Sequence, residues 1–213
     1  MCFILAGHVV CCNETKEGNE MDARRRKRRD QPGEFTSRVA FWMICLMHDN
    51  PLLPFIRNPY KLLTTAGLKP GMHVLEVGCG PGFFTIPAAK MVGNQGMVYA
   101  VDVNPFAIKR ILKKMKRTAR KNIVPVCTNA SQTDFPDERM DLAFLFGLPR
   151  IAGGMESLIL ELHRLLKPRG RVAFQKIRGS ERKLRQAFEE RGFVYSGGQG
   201  PIVLFTKTEP LNA

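Results

Sequence analysis

GMHVLEVGCGPGFFTIPAAKMVGNQGMVYAVD, residues Gly71 to Asp102, parses as strand, glycine turn, helix, second strand and a closing acid. His73 to Val77 is a short apolar run containing one acid; Pro70 and Gly71 precede it, and it breaks directly into Gly78, Gly80 and Gly82. That order opens a βαβ unit. The chain must reverse sharply while its backbone lies close to a ligand, and a Cβ would obstruct one or both. The helix that follows is expected to present free N–H groups to that ligand. Asp102 ends the second strand 20 residues after Gly82, where a carboxylate can accept from two ribose hydroxyls. The unit suits a nucleoside carrying an acidic group.

The dinucleotide fingerprint GxGxxG fails here, because position 83 is Phe. What stands instead is Glu76 at the strand tip followed by Gly78, Cys79, Gly80, Pro81 and Gly82, a GxGxG turn. This resembles the first motif of class I S-adenosylmethionine-dependent methyltransferases, and the segment is most similar to the ubiquinone and menaquinone biosynthesis type. The resemblance implies S-adenosylmethionine as cofactor, held by Glu76, Gly78, Cys79, Gly80, Pro81, Gly82, Asp102 and Val103. In that family the turn holds the methionine half, which carries a carboxylate and an ammonium. An acid at Glu76 suits an ammonium and would repel a pyrophosphate. Thr128 to Glu138 resembles the family's loop in which an acid accepts from the adenine amino group. That role falls to Asp134 with Phe135 beside it, an Asx-type turn being the alternative.

With 213 residues and 44% apolar content, the chain is long enough for one α/β domain and an N-terminal extension, and too short for two full domains. We divide it into a basic, disordered tail (1–33), a helical cap segment (34–68) and a cofactor-binding domain (69–213). No apolar run reaches the roughly 18 residues of a membrane span. The six cysteines include no CxxC pair and no His/Cys cluster with metal-ligand spacing, so no metal site is expected and the compartment reads as reducing and cytoplasmic. Of the +14 net charge, the first 30 residues, with seven basic and five acidic side chains, carry little. The basic character belongs to the remainder and suits an anionic partner or a generally basic surface.

Met1 to Cys12 is apolar without a charged n-region, so it does not read as a signal peptide. Arg24 to Arg29 is six consecutive cations, a solvated linker or a grip for RNA or an acidic membrane surface. Phe35 to Ile56 is rich in bulky apolar residues and ends in Pro51 and Pro54; it packs on the core or, as the resemblance suggests, covers the cofactor mouth. His48 within it is the candidate general base. Leu62 to Leu68 reads as a short helix. Past Asp102, Ile108, Ile111, Leu112 and Met115 recur at helical spacing, and the other face, Lys109 to Lys121, carries eight cations and no acid. Such a face is either solvated or set against RNA phosphates.

Asn122 to Cys127 and Asp141 to Phe146 read as the third and fourth strands. Gly147 to Arg150 lack the Asn/Asp-Pro-Pro-aromatic motif of amino-directed nucleic-acid methyltransferases, and no catalytic-cysteine motif for carbon-5 pyrimidine chemistry is present. Met155 to Leu166 reads as a helix and Val172 to Lys176 as the fifth strand; this region resembles the same family, with Arg169 where Gly is usual. Ser180 is the expected N-cap of a last helix and Gly192 its stop. Phe193 to Ser196 and Ile202 to Lys207 are separated by only GGQGP, too few residues for a parallel crossover, so they must form an antiparallel hairpin.

The expected fold is therefore a Rossmann-like, doubly wound seven-stranded sheet, mostly parallel, closed by that hairpin. The resemblance implies methyl transfer from S-adenosylmethionine by direct displacement, chiefly a task of positioning. The acceptor is expected to be a small, quinone-like or otherwise hydrophobic molecule. An RNA- or protein-directed enzyme, or a non-catalytic RNA-associated protein on the same fold, is the alternative. Nothing in the sequence sets an oligomeric state.

Overall fold

The computed structural model describes residues 57–148, 151–176 and 180–208, together with Phe41 and Cys45. His48 and Arg24 to Arg29 lie outside the described residues, as does most of the 34–68 segment. Phe41 and Cys45 are helical, and the Phe41 ring stacks on Phe106 with centroids 6.4 Å apart.

The described elements run α1 (Pro59–Thr65), β1 (His73–Val77), α2 (Thr85–Val92), β2 (Met97–Asp102), α3 (Pro105–Thr118), β3 (Ile123–Cys127), β4 (Met140–Leu145), α4 (Met155–Leu165), β5 (Leu166–Gln175), α5 (Glu181–Glu189), β6 (Phe193–Gln199) and β7 (Ile202–Lys207). The strands form one sheet in the order β3-β2-β1-β4-β5-β7-β6. β1 pairs parallel with β2 and β4, β2 with β3, and β4 with β5. β7 runs antiparallel to both β5 and β6. The hairpin is present, and it is β7 that enters the sheet next to β5. β6 extends through Gly197 to Gln199, so the connection is shorter than the sequence suggests.

Apolar residues cover both faces, as a sheet flanked by helices requires. Along β1 and β2 they divide by parity. Val74, Val98 and Ala100 join Ala88 and Ala89 of α2 and Ile108 and Ile111 of α3 on one face. Leu75, Val77, Tyr99 and Val101 join Leu158 and Leu162 of α4 and Phe188 of α5 on the other.

Two helices begin earlier than periodicity indicates, for one reason. Asn58 caps α1, its side chain accepting from Lys61 N at 3.2 Å, and Asn104 caps α3 by accepting from Phe106 N at 2.9 Å, each followed by Pro at the first helical position. Asn-Pro is an N-cap and N1 pair that the sequence displays openly. Ser180 does occupy the N-cap position of α5, but its side chain makes no capping bond. Arg169, in place of the usual Gly, sits at φ +61°. It takes the left-handed conformation that glycine adopts without strain, inside β5 where the pairing with β4 shifts register.

The βαβ unit is pinned at its base by Asn122, a buried side chain whose Nδ2 donates to Ala89 O and Gly93 O, both at 2.8 Å. Two carbonyls at the end of α2 accept from that amide. Asn122→Ala is expected to lower stability by about 2 kcal/mol, seen as a lower denaturant midpoint at unchanged slope; an unmoved midpoint contradicts the clamp.

Candidate cofactor site

Strand register places the two acids together. Glu76 pairs with Ala100 across β1 and β2, so its side chain leaves the sheet on the Val74 and Ala100 face, and Asp102, two residues past Ala100, leaves it on that same face. Between them runs the glycine turn. Gly78 N and Cys79 N donate to Val101 O at 2.8 and 3.0 Å, and Gly82 N donates to Cys79 O at 3.0 Å. Gly80 N donates to Asp102 Oδ2 and Asn104 N to Oδ1, both at 2.8 Å. The turn's amides are thus largely spent inside the protein. Asp102 holds the turn and the α3 N-cap in place while each oxygen keeps further acceptor capacity.

The three glycines do different work. All have positive φ, +72° at Gly78, +50° at Gly80 and +84° at Gly82. A Cβ on Gly78 would lie 2.0 Å from Leu148 Cδ2, and one on Gly82 would lie 2.5 Å from Ile111 Cδ1. Those two serve packing against the protein's own side chains. A Cβ on Gly80 would meet nothing within 4 Å, so space opens above the middle of the turn.

Glu76 is 3% exposed, and its Oε2 has no hydrogen-bond partner. Burial pushes its carboxyl up to about 8, the neighbouring Thr85 hydroxyl opposes the rise, and the charge of Asp102 adds to it. The Thr85 hydroxyl favours the ionised form from close by without an aligned bond, since Oγ1 is itself buried and unpartnered. Burial also raises the Asp102 carboxyl, against the two N–H bonds it accepts. Cys79 is buried, and burial followed by the Asp102 and Glu76 charges pushes its thiol well up, which leaves it an inert filler of the turn. Pro81 is buried and Val103 half-buried beyond β2, with its carbonyl facing Cys127 Sγ at 3.9 Å. An orphaned buried carboxyl oxygen on β1, a second carboxylate at the neighbouring strand tip and open space over Gly80 in the turn between them fit a ligand carrying an ammonium and a ribose.

Asp134 and Phe135 are not brought to this turn. Asp134 is exposed. Phe135 packs edge-on against Tyr99, centroids 5.3 Å apart, on the sheet face opposite Glu76 and Asp102. Their loop is strapped to α4: Thr133 N and Oγ1 donate to Glu161 Oε1 at 2.8 and 2.7 Å, and Arg164 donates to Phe135 O at 2.8 Å. The residue that does lie at the carboxyl edge is Asn129. β3 ends at Cys127 opposite Asp102, Thr128 N donates to Asp102 O at 3.1 Å, and Asn129 follows, its Oδ1 accepting from Ser131 N at 3.0 Å. The signal for it was position: the ligand crevice of an open α/β sheet lies just past the strand ends, and Asp134 is too far along the loop.

A model of the methyltransferase domain matches residues 68–203, and the chain belongs to that family, a class of S-adenosylmethionine-dependent enzymes. The demethylmenaquinone methyltransferase of Geobacillus stearothermophilus is 34% identical over 48% of this chain and 44% of its own length. The ubiquinone/menaquinone biosynthesis C-methyltransferase UbiE of Shewanella sediminis is 32% identical over 58% of this chain and 51% of its own. The chain thus spans about half the length of these curated relatives. The crystal structure of a SAM-dependent methyltransferase from Aquifex aeolicus superposes with a TM-score of 0.64 at 26% identity, covering 75% of this chain and 93% of that one. Among the described residues no helix is long and apolar enough to cross a membrane, and no cluster of His, Cys, Asp and Glu is arranged to hold a metal.

The raised Glu76 carboxyl fixes the sign of a pH effect. At low pH it is protonated folded or unfolded; above its ordinary value of 4.5 the unfolded chain ionises first, so ligand-free stability falls until pH passes about 8. Denaturation midpoints should therefore drop between pH 5 and 8 in the wild type, and Glu76→Gln should remove most of that drop. A profile that is identical in both proteins contradicts the burial assigned to this group.

Proposed function

We propose that this protein binds S-adenosylmethionine at the carboxyl edge of β1 and β2 and transfers its methyl group to a small, hydrophobic acceptor. The observation that carries the reading is the pairing of Glu76, buried with an unpartnered oxygen, with Asp102 on one face of the sheet, either side of the open space at Gly80. Glu76 takes the cofactor's ammonium, Asp102 its ribose hydroxyls, Gly78, Gly80 and Val103 line the backbone path between them, and Asn129 takes the adenine end in place of Asp134 and Phe135. Cys79, Pro81 and Gly82 shape the turn from beneath. When bound, the cofactor supplies a methyl group on a sulfonium, whose departure leaves a neutral thioether and needs no acid. What the chain must supply is orientation and exclusion of water.

The small-molecule acceptor rests on the quinone-methylating relatives and on the apolar segment whose Phe41 reaches Phe106. One surface feature favours a second reading, an RNA-directed enzyme. Lys109, Lys113, Lys116, Arg117 and Lys121 are exposed on and just after α3, and no carboxylate pairs with them among the described residues. Labelled cofactor incubated with fractionated cell extract separates the two. Label in organic-soluble material supports the first reading and label in RNA the second.

Calorimetry with S-adenosylhomocysteine tests the cofactor site itself. The wild type is expected to bind, Asp102→Ala to weaken binding at least about tenfold, roughly 1.4 kcal/mol, and Asn129→Ala to weaken it several-fold, while Asp134→Ala leaves it unchanged. Absence of binding by the wild type overturns the proposal, and a loss at Asp134 with none at Asn129 reverses the adenine assignment.

A further inference from the structure

The carboxyl edge that carries two acids on β1 and β2 carries a cation across β4 and β5. Arg57, just ahead of α1, donates from Nη2 to Oε1 of Gln175, the last residue of β5. Its guanidinium lies 5.1 Å from the centre of the Phe84 ring, at the start of α2. A Cβ on Gly147, just past β4, would stand 3.5 Å from Nη2. The next residue, Leu148, is the one that covers Gly78 of the turn. Gln175 lies two residues past Ala173, which belongs to the same core as Val74, Ala100 and Phe84, so by strand parity it leaves the sheet on the Glu76 and Asp102 face. In the strand order β2-β1-β4-β5, with neighbouring strands about 4.8 Å apart, the Arg57 and Gln175 pair stands on the order of 10 Å from Glu76, within the span of one cofactor and its acceptor.

The surroundings of Arg57 are unusual for a structural arginine. It is half-buried, and desolvation by burial pulls its basicity down, with no carboxylate among the described residues acting on it. Its one hydrogen-bond partner among the described residues is the neutral amide of Gln175. Buried guanidinium groups are ordinarily matched by carboxylates. Among the described residues four N–H donors in a planar fork are left over, beside the apolar rings of Phe84 and Phe146, whose centroids are 5.2 Å apart.

We propose that Arg57 is the acceptor-orienting residue of the site, its guanidinium receiving an anionic oxygen of a planar aromatic acceptor (a phenolate, enolate or carboxylate) while Gln175 holds the fork in place. The proposal rests on the methyl-transfer reading and names the chemical class of its acceptor. A fixed fork recognises a charged oxygen through two parallel N–H bonds, and the neighbouring rings receive the apolar body. An acceptor that arrives as an anion needs no proton removed before the displacement: an electron pair on its nucleophilic atom forms the new bond to the methyl carbon as the carbon–sulfur bond breaks with its electron pair remaining on sulfur.

The test uses the full chain saturated with S-adenosylhomocysteine and two fluorinated probes, 4-fluorobenzoate and its neutral counterpart 4-fluorobenzamide, followed by fluorine NMR. The wild type should bind the benzoate at least about tenfold more tightly than the benzamide. Arg57→Gln should abolish that preference and Arg57→Lys keep part of it, with S-adenosylhomocysteine affinity unchanged in both. Equal preference in wild type and Arg57→Gln overturns the proposal, as does a variant that only unfolds more easily while still selecting the anion, which makes Arg57 a strap between α1 and β5. Failure of the wild type to bind S-adenosylhomocysteine is a different result, and it removes the cofactor reading instead.

Discussion

A single carboxylate ties the cofactor edge together. Asp102 Oδ2 accepts from Gly80 N and Oδ1 from Asn104 N, so the turn after β1 and the turn after β2 are held by the same side chain. Without those two bonds the GxGxG segment would rely on Val101 O alone for its attachment to the sheet. Because each carboxylate oxygen can accept more than one bond, Asp102 can shape the crevice and remain available within it. On the proposed reading, a residue at the tip of a strand is then both scaffold and ligand contact.

Glu76 is the counterpart with nothing yet to hold. A buried carboxyl whose oxygen lacks a partner costs stability in the ligand-free protein, and such a cost is characteristic of a group whose partner arrives from outside. The crevice then acquires an electrostatic gradient. Two acids on β2 and β1 stand across from a guanidinium above β4 and β5 that no carboxylate among the described residues matches; on the proposed reading the acids suit an ammonium and a ribose and the cation suits an anionic acceptor. Gly147 and Leu148 link the halves, one lying against Arg57 and the other over Gly78.

Much of this was legible in the sequence because it is local. The β1, turn, α2 and β2 boundaries follow from apolar runs broken by Gly78, Gly80 and Gly82, and the hairpin from a connection too short for a crossover. The start of α1 lies at Pro59 rather than Leu62, because the Asn58-Pro59 cap and not apolar periodicity sets it. The place of Asp134 and Phe135 away from the glycine turn is a tertiary matter: the Glu161 and Arg164 contacts that strap their loop to α4 join residues 28 or more apart in the chain. Arg57 left no trace at all in the motif reading, since its meaning depends on Gln175, 118 residues away.

With its carboxyl raised to about 8 by burial, Glu76 is protonated near pH 7 in the free protein, and on the proposed reading it ionises to meet the cofactor's ammonium. Calorimetry of S-adenosylmethionine binding near pH 7, repeated in buffers of different ionisation enthalpy, measures it directly. The account predicts release of close to one proton per cofactor bound by the wild type and none by Glu76→Gln. Binding by the wild type with no proton exchanged, or with the same release in both proteins, would contradict it.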